Sequence, residues 1–84
     1  MDKNYIKFIL AYDFGDVFEG MELACDEAFD LAEEIADRFL EYREKIYLSE
    51  YNMSEYELLQ EFCLNLSFTS VWNDMHKNQN HMWR

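Results

Sequence analysis

The chain has 84 residues, enough for one small domain that buries only about 60 to 65% of the surface its unfolded form would expose. Half of the residues are hydrophobic and 18% are aromatic, so the formal net charge of −11 does not indicate a disordered acidic tail. A chain this acidic, with no basic patch, is not expected to bind DNA or RNA directly. No apolar run approaches the ~18 residues of a membrane span, and residues 3–12 lack signal-peptide features, so a cytoplasmic protein is predicted.

The first segment, residues 4–12, fits two structures. Tyr5, Phe8, Ile9 and Tyr12 have the spacing of one face of a helix, but a short buried strand fits nearly as well. We favour the helix.

A long amphipathic helix is predicted in the centre of the chain. Its apolar residues recur at steps of three or four and therefore lie on one face. They are Phe18, Met21, Cys25, Ala28, Ala32, Ile35, Phe39, Tyr42 and Ile46. Asp16 and Glu19 resemble a capping box, which predicts a helix from about residue 16 to about residue 48. Gly20 weakens the first turn, so a start near Glu22 stays open.

A second helix is predicted from about residue 54 to about residue 66. Ser54 and Glu57 form a capping box, and Met53 and Leu58 occupy the positions of a hydrophobic staple. The helix then either continues to residue 75 or breaks at Ser67, and a polar tail is predicted from about residue 76. The whole chain, residues 1–84, is predicted to be a single all-α domain of two or three helices, dominated by the long central one.

No enzymatic or ligand-binding motif is present. Cys25 and Cys63 stand alone without metal-type spacing, which favours reduced core thiols. His76 and His81 are five residues apart and lack the further ligands that a metal site needs. The carboxylates have no apolar setting that would tune an acid or base, and neither a Gly-rich phosphate loop nor a Ser/His/Asp set occurs. We predict no catalytic residue, no metal and no cofactor.

The carboxylates of the central helix form a stripe, hereafter the acidic stripe, that is rotated away from the apolar face. Its members also step by three or four. They are Asp16, Glu19, Glu22, Asp26, Asp30, Glu33, Asp37, Glu41 and Glu44. Between residues 16 and 44 the chain places roughly one negative charge per 4 Å of helix axis, against one per ~3.4 Å for one strand of B-DNA.

Two interpretations of the acidic stripe stay open. Favourable i,i+4 pairs, Glu34 with Arg38 and Glu41 with Lys45, fit an ordinary solvated surface. Repulsion between neighbouring carboxylates destabilises the fold by about 2 to 5 kcal/mol in total, which is large for a domain with a free energy of unfolding of ~5 kcal/mol. This cost favours the second interpretation, a surface that imitates a polyanion. The centre of that surface would be Asp26, Asp30, Glu33 and Asp37.

A short, strongly acidic, aromatic-rich chain with carboxylates arrayed along a helix resembles the small phage-encoded inhibitors that mimic DNA, among them anti-restriction and anti-CRISPR proteins. The resemblance covers overall character and residues 13–44, and includes no motif. It implies a stoichiometric inhibitor in the host cytoplasm that occupies the nucleic-acid-binding site of a basic partner, such as a CRISPR effector or a restriction enzyme.

The alternative is an acidic interaction module, such as an antitoxin, immunity protein or small regulatory protein, that binds a basic partner without imitating nucleic acid. In either case Tyr51 and Trp83, which lie outside the clearest apolar stripes, are predicted interface anchors. The single apolar face of the long helix also fits packing on a second copy, so a homodimer stays open.

Overall fold

The computed structural model describes residues 1–46 and 53–82, with the side chains of residues 1–46 and 53–77. The described residues form five helices and no strand: α1 (Lys3–Asp13), α2 (Gly15–Gly20), α3 (Cys25–Lys45), α4 (Glu55–Leu64) and α5 (Phe68–Met82). None of the described helices is long and apolar enough to cross a membrane. The predicted all-α class is confirmed, but the described chain has five helices instead of two or three.

Helix α1 resolves the ambiguity of the N-terminal segment. Asp2 caps it, because its carboxylate accepts a hydrogen bond of 2.8 Å from the backbone N–H of Tyr5. The buried face consists of Ile6, Ile9 and Leu10. The prediction of a helix is therefore confirmed, although three of the four residues used to predict it are exposed. They are Tyr5, Phe8 and Tyr12.

The predicted helix of residues 16–48 is divided into α2 and α3. Helix α2 ends at Gly20, and Glu22 has φ 57°, a left-handed conformation that a helix cannot continue through. Helix α3 then begins at Cys25, where the Glu27 carboxylate accepts a 2.8 Å hydrogen bond from the N–H of Ala24. This start lies closer to the Glu22 alternative. Gly20 indicated a weak point, but the residue before α3 is alanine, which gives no capping signal, so the position of the break was not predicted. At its other end α3 stops at Lys45.

Helices α4 and α5 are separated by a short turn. The predicted capping box of α4 is present: Ser54 Oγ accepts from the N–H of Glu57 at 3.2 Å, and the Glu57 carboxylate accepts from the N–H of Ser54 at 3.4 Å. Of the two alternatives after residue 66, the break is observed. Ser67 Oγ accepts a 3.2 Å hydrogen bond from the N–H of Ser70, which fits a cap for α5. Residues 76–82, predicted as a polar tail, belong to α5.

Helix α3 is the centre of the core. It contributes Leu31, Ile35 and Phe39, all fully buried, and α1 runs antiparallel to it, because Lys3 meets Asp37 and Lys7 meets Glu33. Aromatic rings join the remaining helices to this pair. Phe62 of α4 lies 5.6 Å from Phe39 and 5.0 Å from Tyr42, between ring centroids. Phe68 of α5 lies 5.8 Å from Phe14 and 5.5 Å from Phe18.

Glu55 joins the N-terminus, the end of α3 and the start of α4. One of its carboxylate oxygens lies 2.7 Å from Arg43 Nη1 and 3.3 Å from the terminal amine of Met1. Arg43 also donates a 3.1 Å hydrogen bond to the carbonyl of Met1. Partial burial acts to raise the pKa of Glu55, but the hydrogen bonds from Arg43 and the terminal amine outweigh it, so the pKa is lowered.

Replacing Glu55 with glutamine should lower the free energy of unfolding by about 1 kcal/mol at pH 7, a modest effect because the pair is partly exposed. A group whose pKa is lowered by folding stabilises the protein above its unfolded pKa, and this contribution is lost as the pH falls through its folded pKa. The difference between wild type and Glu55→Gln, measured by urea unfolding, should therefore shrink in acid. Glu61→Gln on the same helix is the matched control, because Glu61 is exposed and its side chain has no ion pair within the described residues. Equal effects of the two substitutions at pH 7 would contradict the prediction.

Candidate protein-binding surface

The acidic stripe of α3 lies opposite the buried face, as its spacing predicts. Asp26, Asp30, Asp37, Glu41 and Glu44 are exposed, and Glu33 is half-buried. The three members that precede α3 are also exposed, with Asp16 and Glu19 on α2 and Glu22 in the turn between the two helices. The break at residues 21–24 means that these three do not continue the straight row of α3.

Cations of the chain itself neutralise one part of the stripe. Lys3 Nζ lies 2.8 Å from Asp37 and 3.6 Å from Glu33, and Lys7 Nζ lies 3.5 Å from Glu33. The hydrogen bond to Asp37 raises the pKa of Lys3. The predicted pair of Glu41 with Lys45 is also present, at 3.6 Å. Arg38 pairs at 2.9 Å with the neighbouring Glu34, as predicted. The contacts from α1 could not be read from the sequence, because they depend on the antiparallel packing of two helices.

Six members of the stripe have no ion pair within the described residues. One is Glu44, near the end of α3; the other five, which we call the acidic cluster, are Asp16, Glu19, Glu22, Asp26 and Asp30. The predicted centre of the stripe is thus divided: Asp26 and Asp30 belong to the acidic cluster, whereas Glu33 and Asp37 bind lysines of α1. The negative charge available to a partner is concentrated towards α2 and the start of α3.

An apolar groove of about 540 Å³ lies between α1 and the first half of α3, with Phe18 of α2 in its lining. Its volume falls within the range of about 300 to 1,000 Å³ typical of ligand pockets. The lining residues are Asn4, Lys7, Phe8, Ala11, Phe18, Cys25, Ala28, Phe29 and Ala32. Asn4 and Lys7 are the only lining residues with strongly polar side chains.

Large aromatic side chains extend the groove into solvent. Phe8 is 65% exposed, Phe29 is 56% exposed, and Tyr12, stacked on Phe8 at 6.2 Å, is 80% exposed. Lys7 Nζ lies 4.2 Å from the centroid of the Phe29 ring, a cation–π geometry. This exposed aromatic surface was not predicted from the sequence. The available signal was Phe29, a large apolar residue that fits neither the apolar nor the acidic row of α3.

Two other predictions have different outcomes. Cys63 is buried as predicted, but Cys25 is exposed and lines the groove, because it lies at the edge of the apolar face in the first turn of α3. The predicted anchors Tyr51 and Trp83 lie outside the described residues.

A tyrosine of α4 takes part in a polar contact between α1 and α4. The hydroxyl of Tyr56 donates a 2.6 Å hydrogen bond to Asp13, and Gln60 Nε2 donates to the same oxygen at 2.6 Å. The bond to Asp13 raises the pKa of Tyr56. This contact links helices and is separate from the groove lining.

Among the side chains of residues 1–46 and 53–77, no three His, Cys, Asp or Glu groups lie close enough to hold a metal ion. That the chain uses no cofactor and is not an enzyme stays a prediction. Comparison with known proteins gives no further guide, since no family model, curated protein or solved structure matches the chain.

Proposed function

We propose that this chain is a stoichiometric inhibitor that places its acidic cluster on the nucleic-acid-binding surface of a basic protein. The observation that carries the proposal is the concentration of five exposed carboxylates without an ion pair in the described chain, on a protein of net charge −11. A surface rich in Lys and Arg would be attracted to this cluster over a distance, which accelerates association and excludes partners of like charge. A CRISPR effector or a restriction enzyme has such a surface.

The internal ion pairs limit how much of the protein can imitate a polyanion. From Asp26 to Glu44, α3 carries eight carboxylates, of which Glu33, Glu34, Asp37 and Glu41 already lie beside a cation. The unpaired charge density along α3 is therefore about half of that expected from the sequence. The mimic would be a compact cluster at one end of the helix, and not a uniform rod.

The apolar groove favours a second candidate function, that of an interaction module that binds a basic partner without competing with nucleic acid. Nucleic-acid-binding channels are rich in cations, whereas a groove lined by Phe8, Phe18 and Phe29 gains from contact with apolar side chains. In this candidate the acidic cluster steers the partner, and the groove supplies affinity.

Competition with nucleic acid separates the two candidates. Basic proteins are first enriched from a lysate on a heparin column and eluted. They are then passed over the immobilised chain, and the proteins that bind it are identified. If the chain is an inhibitor, duplex DNA or RNA should displace the bound protein from it. The bound protein should also lose its binding to nucleic acid when the chain is added. A retained protein that holds both the chain and its nucleic acid contradicts the inhibitor and favours the module. Retention of no protein contradicts both.

A further inference from the structure

We propose that the apolar groove between α1 and α3 is the docking site for a basic amphipathic helix of the partner. The proposal rests on the proposed function only in taking the partner to be basic. It adds the structural class of the bound segment and the place where it binds.

The form of the apolar surface indicates a helix and not a small molecule. Phe8 and Phe29, which line the groove, and Tyr12, which stacks on Phe8 outside it, are each more than half exposed. A small ligand in the groove would leave much of this aromatic surface in water, above all Tyr12. A helix lying along the groove would cover them with residues at i, i+3, i+4 and i+7, which is how amphipathic segments bind helical grooves.

The charges around the groove indicate that this helix is basic. Asp26 lies three positions before Phe29 on α3 and Glu33 lies four positions after it, so both carboxylates neighbour this ring on the helix surface. Lys7, the cation in the groove, lies 3.5 Å from Glu33, which offsets its charge towards an incoming lysine or arginine.

The same charges disfavour a second copy of the chain as the occupant. Each copy has a net charge of −11, and pairing two grooves would bring the acidic first halves of two α3 helices together. Like charges brought together across an interface oppose association. A partner helix with lysine or arginine beside its apolar residues would match both the apolar lining of the groove and the negative charge near it.

Cys25 provides a reporter at the site. It is exposed and lines the groove, whereas Cys63 is buried, and burial raises the pKa of its thiol to about 12. A thiol reagent added to the folded protein therefore reacts with Cys25 well before Cys63. A helix bound in the groove should slow the reaction of Cys25.

The test uses a synthetic helix of about 14 residues, roughly 21 Å long, with leucine on one face and lysine on the other. We expect it to bind the full chain in fluorescence anisotropy and to protect Cys25. Phe8→Ala with Phe29→Ala should weaken binding tenfold or more, since aromatic anchors dominate such contacts. Leu64→Ala, also an exposed apolar residue but on α4, should leave binding unchanged. Circular dichroism checks that each variant is folded.

Four results would overturn the proposal. A scrambled peptide of the same composition that binds equally well would show attraction by charge alone. Unchanged binding by the folded Phe8→Ala/Phe29→Ala variant would place the peptide elsewhere. A dimer in sedimentation, with Cys25 protected before any peptide is added, would make a second copy the occupant. If the peptide fails but nucleic acid still displaces a captured partner, only this inference falls. If the peptide binds in the groove but the captured partner keeps its nucleic acid, the inhibitor function is wrong and the docking site still stands.

Discussion

Replacing Phe39 with alanine should remove most of the protein's free energy of unfolding at room temperature. Phe39 is fully buried at the centre of α3, and its ring meets Phe62 of α4 edge-on. Truncating a buried phenylalanine removes about 3 to 5 kcal/mol through lost burial and the cavity left behind. A domain of 84 residues has a stability of roughly 5 kcal/mol, so little would remain.

Far-UV circular dichroism and urea unfolding measure this effect. The expected result for Phe39→Ala is a urea transition shifted close to zero denaturant, from a native state stabilised by no more than about 2 kcal/mol. Leu64→Ala is the control, because Leu64 is 74% exposed and its truncation should change stability by less than about 0.5 kcal/mol. A Phe39→Ala variant as stable as Leu64→Ala would show that the α3 and α4 rings do not form the core described here.

Neutralising the acidic cluster should weaken partner binding strongly while leaving the fold intact. Asp26→Asn with Asp30→Asn removes two charges that have no ion pair within the described residues. If each carboxylate meets a lysine or arginine, truncation leaves the partner's cations unpaired, and the two changes together should cost about 3 kcal/mol, or roughly a hundredfold in affinity. The free energy of unfolding should stay constant or rise slightly, because repulsion along α3 is relieved.

The same helix offers a matched comparison. Glu33→Gln with Asp37→Asn also removes two charges from this face of α3, but these carboxylates bind Lys3 and Lys7. This double variant should be less stable than wild type, because it loses partly exposed ion pairs, and it should weaken partner binding less than Asp26→Asn/Asp30→Asn does. Glu61→Gln with Asp74→Asn, two exposed carboxylates outside the stripe, controls for the net charge.

Affinity for the captured partner, measured by calorimetry at two salt concentrations, distinguishes these variants. Wild type should lose affinity as salt rises, and Asp26→Asn/Asp30→Asn should show a weaker dependence on salt. If all three double variants lose the same affinity, only net charge matters, and the acidic cluster is not a specific contact. If none loses affinity, the role proposed for the carboxylates is wrong for both candidate functions.

Local signals in the sequence determined the all-α class and several of the helix boundaries. The capping box at Ser54 and Glu57 lies within three residues of chain, so its hydrogen bonds form wherever that segment is placed. The opposite apolar and acidic faces of α3 likewise follow from the 3.6-residue period alone. Gly20 left a later start of the long helix open, but the break itself was not predicted, because it depends on a left-handed Glu22 and on an alanine at the cap position, neither of which carries a sequence signal.

Only the tertiary structure decided which carboxylates are available and which aromatic residues are exposed. Lys3 and Lys7 are more than 25 positions from Glu33, and they reach it because α1 packs antiparallel on α3. The same packing buries Ile6 and Leu10 and turns Phe8 and Tyr12 outwards, beside Phe29. The period of a helix fixes which residues share a face, but the packing of helices against one another determines which of those faces meets the core and which is left to a partner.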